Sequence, residues 1–81
     1  MGKYTDVYND IMSGRKDNNI RFGDVCGLLE HLDFKRTVKG DHFIYRKDNT
    51  PIINIQPEGN KAKAYQIRQI RNVFRDKGME V

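Results

Sequence analysis

His42 is the side chain of this sequence best suited to acid–base chemistry, because an imidazole exchanges its proton close to neutral pH. Gly40 precedes it by two residues, and a glycine lets the backbone approach a ligand without a Cβ in the way. Lys39 and Arg46 flank the pair in sequence, and their charges could hold a phosphate or offset charge that develops on it. From these residues alone, a strand histidine that only packs or forms hydrogen bonds is the more common case.

The other reactive side chains give weaker signals. Cys26 lies on the apolar stripe of a predicted helix, so we expect a buried, unreactive thiol with no activating partner nearby in sequence. His31 lies off that stripe and is expected at the surface. One cysteine and two histidines cannot form a structural zinc site, and we expect neither a metal nor a cofactor. A single cysteine cannot form an internal disulfide either, which fits a reducing cytoplasm.

Positive charge is concentrated in the second half of the chain. Residues 1–33 carry four Lys and Arg against six Asp and Glu, a net charge of −2, whereas residues 34–81 carry eleven against five, a net charge of +6. Lys61 and Lys63 precede the last predicted helix, on which Arg68, Arg71 and Arg75 follow at intervals of three and four residues. Together these five side chains are a candidate phosphate-contacting patch. The arginines could equally well form a helix face that is only exposed to solvent. The excess of positive charge in residues 34–81 could likewise serve solubility alone.

Hydrophobic periodicity predicts one domain over residues 1–81, with helices and strands in separate runs. Apolar residues recur at helical spacing over residues 3–13 and 22–32, and again from Ala64 until Gly78 ends the last helix. Residues 34–39, 42–47 and 51–56 are rich in strand formers, and the short links between them favour a three-stranded antiparallel meander. Residues 57–63 are expected to form a polar, basic loop. The predicted class is α+β, with helices packed on one face of the sheet and the other face free.

Several of these segments, in this order and spacing, resemble the HicA family of bacterial toxins. The resemblance covers about residues 9–79, and its first half contains Asn19-Ile20-Arg21-Phe22, Cys26, Leu28-Leu29-Glu30 and Phe34. It continues through Lys39-Gly40-Asp41-His42-Phe43-Ile44-Tyr45-Arg46, Asn54-Ile55-Gln56-Pro57, Gly59-Asn60-Lys61-Ala62-Lys63 and Tyr65-Gln66-Ile67. The fold that it implies is similar to the double-stranded-RNA-binding domain, αβββα, here with an extra N-terminal helix.

The activity implied by this resemblance is that of an mRNA endonuclease, the toxin of a type II toxin–antitoxin system. The family's key histidine lies in a Gly-Ser-His motif at the start of the second strand, and Gly40 and His42 match its glycine and histidine. On this basis we expect His42 to be catalytic in a metal-independent reaction, because such a reaction needs a base for the ribose 2′-hydroxyl and an acid for the leaving oxygen. The implied partners are mRNA and a HicB-type antitoxin protein that covers the active site.

Asp41 stands where the family has a serine, and it is the main departure from the motif. Its carboxylate could orient the imidazole of His42 and stabilise the protonated ring. It would also place a negative charge near an incoming phosphate, which weakens binding. A turn residue without contact to the ring is a third possibility, because adjacent strand residues point to opposite faces.

Two further functions remain open at the level of sequence. One is a non-catalytic RNA-binding module on the same fold, which the basic residues and Asp41 favour. The other is a protein that acts only through a partner, bound for instance by strand addition at a free sheet edge. The sequence has no long apolar run and no signal-peptide pattern at Met1 to Asp6, so we expect a cytoplasmic protein without a membrane span.

Overall fold

Residues 2–81 are described by a computed structural model, in which they form three helices, a three-stranded antiparallel sheet and a small hairpin. The helices are α1 (Lys3–Ser13), α2 (Phe22–His31) and α3 (Ala64–Lys77). The strands are β1 (Lys35–Lys39), β2 (His42–Arg46), β3 (Ile53–Ile55), β4 (Pro57–Glu58) and β5 (Lys61–Ala62). The α+β class and the predicted order of helices and main strands are confirmed. None of the helices formed by residues 2–81 is both long and apolar enough to cross a membrane.

A two-residue turn and a longer link, residues 47–52, join β1, β2 and β3 into the predicted meander. Lys39 pairs with His42 and Thr37 with Ile44 across the first hairpin, and Ile44 pairs with Asn54 across the second. Gly40 begins the first turn with φ +60°, the backbone conformation that a two-residue hairpin loop with glycine in its first position needs. The turn therefore explains this glycine without any ligand.

The alternation of side chains along the sheet separates a buried face from an open one. Tyr45, Ile53 and Ile55 point inward and are fully buried, whereas the positions between them, such as Asn54, are exposed. All three helices contribute to the core beneath the inner face, which includes Ile11 of α1, Leu28 and Leu29 of α2, and Ile67, Ile70 and Phe74 of α3. Because His42 has the same parity as Ile44 and Asn54, its side chain lies on the open face.

Residues 57–63 differ from the predicted loop, because they form the β4–β5 hairpin. Ala62 donates its backbone N–H to the carbonyl of Ile20 at 2.9 Å, and Asn60 accepts the backbone N–H of Phe22 at 2.9 Å. The partner segment lies some forty residues earlier in the chain, so local sequence carries no sign of this pairing. α2 begins at Phe22, as predicted, and the carbonyl of Asn60 satisfies one of the N–H groups that the first turn of a helix leaves unpaired.

Candidate active site on the open face of the sheet

His42 is the first residue of β2, and its imidazole is half-exposed on the open face of the sheet. Lys39 is its cross-strand partner on β1, so the two side chains share this face. The ring is neither enclosed in the core nor remote from positive charge. A polymeric ligand can therefore approach both ring nitrogens from solvent.

Each nitrogen of the His42 ring has a polar neighbour, one on β3 and one on the residue that follows β3. Nδ1 lies 3.3 Å from Oδ1 of Asn54, and Nε2 lies 3.1 Å from Nε2 of Gln56. Asn54 and Gln56 point to the same side because they are two residues apart in extended chain. The prediction from sequence did not single out either side chain. The alternation of strand residues beside His42 is the signal that could have found them.

Gln56 is itself held by two residues near the start of α3. Its side-chain Oε1 accepts a hydrogen bond from Nζ of Lys63 at 3.2 Å. Its backbone N–H donates to Oε1 of Gln66 at 3.1 Å, and Gln66 is the one polar side chain in the buried core, with 3% of its surface exposed, among the residues described. We call the set Asp41, His42, Asn54, Gln56 and Lys63 the His42 cluster.

Asp41 reaches this cluster from the first turn. Its Oδ1 lies 3.9 Å from Nε2 of His42 and accepts a long hydrogen bond from Nε2 of Gln56 at 3.5 Å. The side chain is 70% exposed, so water screens its charge. Asp41 is thus a turn residue, but the alternative of a turn residue without contact to the ring does not hold, because its carboxylate faces Nε2 of His42.

Only some of the residues predicted to contact RNA lie at the His42 cluster. Lys39, Gly40 and Lys63 lie at the His42 cluster. Arg46 shares the open face but stands at the far end of β2, about 13 Å along the strand from His42 at ~3.3 Å per residue, and its Nη1 lies 3.5 Å from Oγ1 of Thr37.

The remaining basic residues lie elsewhere. Lys61 lines a cleft beside α1 and α2 together with Asp10 and Asp24, and not the His42 cluster. Arg68 is exposed on α3, and no hydrogen bond or ion pair joins it to the His42 cluster within residues 2–81. Lys61 and Lys63, which are only two residues apart, therefore have different surroundings in the fold.

Arg71 departs most clearly from its predicted role in RNA binding, because its guanidinium binds groups within the protein. Its Nη1 and Nη2 donate to the two carboxylate oxygens of Asp17 at 2.9 and 3.0 Å, and Nη1 also donates to the carbonyl of Ile11 at 2.9 Å. Both side chains of the pair are largely buried, and the hydrogen bond to Asp17 raises the pKa of Arg71. Arg71 links α3 to α1, and its largely buried guanidinium uses three of its five N–H donors within the protein. Its spacing on the helix could not reveal an acceptor 54 residues away.

The other candidate side chains also take structural positions. Tyr45 is fully buried in the core, and its hydroxyl donates a hydrogen bond to Oε2 of Glu30 at 2.9 Å. Cys26 is buried, as expected, and burial raises the pKa of its thiol and that of Tyr45. His31 stacks on Tyr4 with ring centroids 4.7 Å apart.

Within residues 2–81, no group of three or more His, Cys, Asp or Glu side chains is close enough together to hold a metal ion. Comparison of the chain with protein-family models, with curated proteins and with solved structures finds no match. Fold and site together define a small α+β protein with a histidine-centred polar cluster on an open sheet face.

Proposed function

We propose that this protein is an endoribonuclease of the HicA type, the toxin of a toxin–antitoxin system, and that it cleaves mRNA with His42. The observation that carries the proposal is the half-exposed imidazole on the open face, hydrogen-bonded at both nitrogens and close to Lys39 and Lys63. An imidazole with this access can take part in proton transfer, and the lysines can bind the scissile phosphate. The resemblance of residues 9–79 to HicA toxins supports the same function.

The reaction that this cluster would perform is an internal transesterification. The imidazole accepts the proton of the ribose 2′-hydroxyl, a bond forms between O2′ and phosphorus, and the bond from phosphorus to O5′ breaks. The O5′ leaving group takes up a proton from water, and a 2′,3′-cyclic phosphate remains at the 3′ end of the upstream fragment. Lys39 and Lys63 offset the negative charge that develops on the phosphate oxygens in the transition state.

The proposal extends to fold, location and partners. We assign α2, β1–β3 and α3 to the αβββα arrangement of double-stranded-RNA-binding domains, with α1 as the added helix. The protein acts on mRNA in the cytoplasm, and a HicB-type antitoxin covers the open face.

Cleavage of RNA by purified protein tests the function. We expect wild-type protein to cut a single-stranded transcript in the presence of EDTA, and His42→Ala to lose a factor of about 10² to 10⁴ in rate, the usual contribution of a general acid or base. Expression of the wild-type chain should stop growth, and His42→Ala should restore it. Lys77→Met, at an exposed position in the last turn of α3, is the matched control. Intact RNA after incubation with folded wild-type protein contradicts the proposal.

A non-catalytic RNA-binding module is the second candidate, because the amide of Gln56 occupies the position next to Nε2 and Asp41 adds negative charge there. This function predicts salt-dependent binding of RNA without cleavage, with log K falling by about 0.7 per phosphate contact for each decade of salt. Replacing Lys39 and Lys63 together should reduce that slope. An unchanged slope rejects the open face as the binding surface.

A further inference from the structure

The amide of Gln56 has one orientation that satisfies both of its neighbours. Nζ of Lys63 carries three N–H groups and no acceptor, so the Gln56 atom facing it at 3.2 Å must be the oxygen Oε1. The NH₂ group is therefore turned the other way, toward Nε2 of His42 at 3.1 Å and Oδ1 of Asp41 at 3.5 Å. Lys63 thus decides which end of the amide meets the imidazole.

A donor at Nε2 determines where the neutral imidazole carries its proton. Nε2 can meet the NH₂ group of Gln56 favourably only with a lone pair, so the ring proton must be on Nδ1. Nδ1 lies 3.3 Å from Oδ1 of Asn54, an acceptor that suits an N–H donor. Both hydrogen bonds of the ring are consistent with this one tautomer.

We propose that Lys63, acting through Gln56, holds neutral His42 in the tautomer that has its proton on Nδ1 and a lone pair on Nε2. In the proposed nuclease, on which this role in catalysis rests, Nε2 is then the atom that accepts the proton of the 2′-hydroxyl. The hydroxyl replaces the amide of Gln56 at the lone pair, and the released N–H donates to a phosphate oxygen. Gln56 and Lys63 are positioning residues in this arrangement, since they act on the reacting hydroxyl through His42.

The charged groups around the ring act in different directions. Asp41 favours a proton on Nε2, but its carboxylate is 3.9 Å away and well exposed, whereas the amide of Gln56 is at 3.1 Å. Lys39 and Lys63 carry charges of the opposite sign to that of Asp41. Gln66 supports the contact between Gln56 and His42, because its buried side chain accepts the backbone N–H of Gln56 and holds that residue in place.

The tautomer is measured directly by long-range ¹H–¹⁵N NMR spectra of the imidazole, recorded at mildly alkaline pH. We expect Nδ1 of His42 to give the shift of a protonated nitrogen and Nε2 that of an unprotonated one. In Gln56→Glu a carboxylate, which only accepts, faces both Lys63 and the ring, so the two shifts should exchange. A wild-type protein with its proton on Nε2, or a Gln56→Glu variant with the wild-type pattern, overturns the proposal.

Two substitutions at Lys63 test its part separately. Lys63→Met leaves the amide free to turn, and both tautomers of His42 should be present, whereas Lys63→Arg, which also only donates, should restore the wild-type pattern. Lys77→Met removes the same charge from an exposed site at the other end of α3 and should leave the pattern unchanged. A wild-type pattern in Lys63→Met refutes the role of Lys63.

Cleavage assays on the same samples distinguish this proposal from the function. If the protein is a nuclease, Gln56→Glu should lower kcat by about 10² or more, since the base has lost its lone pair at the reacting position, with a smaller change in KM. The expected tautomers in a protein that never cleaves RNA refute the nuclease and leave the positioning of His42 intact. Cleavage that persists in Gln56→Glu after its tautomer has exchanged overturns the catalytic role of Nε2.

Discussion

Asp41 and Gln56 compete at one nitrogen of His42, and this competition is the main feature of the site at the scale of single residues. The carboxylate stabilises a proton on Nε2, whereas the amide stabilises a lone pair there. HicA toxins have an uncharged serine at this position of their motif, so in the proposed nuclease the aspartate would weaken phosphate binding. The positive charges of Lys39 and Lys63 would offset that effect.

Asp41→Ser is expected to strengthen the interaction with RNA. The substitution removes a negative charge next to the proposed phosphate position, and unit charges about 4 Å apart interact by about 1 kcal/mol in water, or roughly fivefold in KM. Steady-state cleavage at low and at high salt measures the change, which should shrink as salt screens the charge. Asp48→Ser, an exposed acidic residue of the second turn, is the control. A higher KM for Asp41→Ser would show that the carboxylate assists binding.

At the scale of elements, the first hairpin places His42, and the backbone of Gly40 makes that hairpin possible. A Cβ built at Gly40 meets nothing within 4 Å, so a side chain there is opposed by the positive φ and not by crowding. The hairpin fixes the register in which Lys39 faces His42 and Asn54 faces Ile44. Loss of this turn would therefore move His42 relative to the side chains that it contacts.

Gly40→Ala should lower the free energy of unfolding by about 1–2 kcal/mol, the cost of a left-handed conformation for an L-residue. Gly23→Ala is the matched comparison, because Gly23 lies in α2 without positive φ and also has open space at its Cβ. That change should stabilise the protein by about 0.5–1 kcal/mol. Urea unfolding of both variants gives the two values, and changes of the same sign contradict this account of the turn.

Arg71 ties two elements together, since it connects α3 to the end of α1 and to the following loop through Asp17. Arg71→Met leaves the largely buried carboxylate of Asp17 without its partner, so we expect a loss of about 3 kcal/mol, the lower end of the range for broken buried pairs. Arg75→Met, on the exposed side of the same helix, should change stability by at most about 0.5 kcal/mol. Chemical denaturation measures both. Arg71→Met protein of wild-type stability but with weakened RNA binding would restore the role first predicted for Arg71.

At the scale of the whole molecule, the core encloses two groups that ionise at alkaline pH. Burial raises the pKa of Cys26 above its ordinary value of 9.0 and that of Tyr45 above 10.0. The unfolded chain therefore releases these two protons at lower pH than the folded protein does. Their contribution to stability is fully present below about pH 9 and is lost as pH rises beyond it.

The free energy of unfolding should fall above pH 9 by up to about 1.4 kcal/mol per pH unit for each group that has ionised only in the unfolded chain. Urea unfolding at a series of pH values from 8 to 11 measures the slope. The double variant Cys26→Ala, Tyr45→Phe should have a clearly flatter dependence, whatever its stability at pH 8. An equal slope in both proteins would show that other groups cause the loss of stability at alkaline pH.

The sequence by itself determined the elements and the location of the candidate residue. The 3.6-residue spacing of apolar side chains predicted α1, α2 and α3, and the runs of strand formers separated by turn residues predicted the meander, because these signals depend only on neighbours in the chain. The placement of His42 at the start of β2, beside Lys39 and Gly40, followed from the same local pattern. Its proposed catalytic use remains a prediction.

Only the tertiary structure decided which polar groups meet. The hydrogen bonds from His42 to Asn54 and Gln56, the commitment of Arg71 to Asp17, and the pairing of β5 with residues 20–22 all join segments that are between 12 and about 54 residues apart. A lysine or arginine has the same local signature whether its charge faces solvent or a buried carboxylate. The partner is chosen by how the helices pack on the sheet, and that packing depends on the core as a whole.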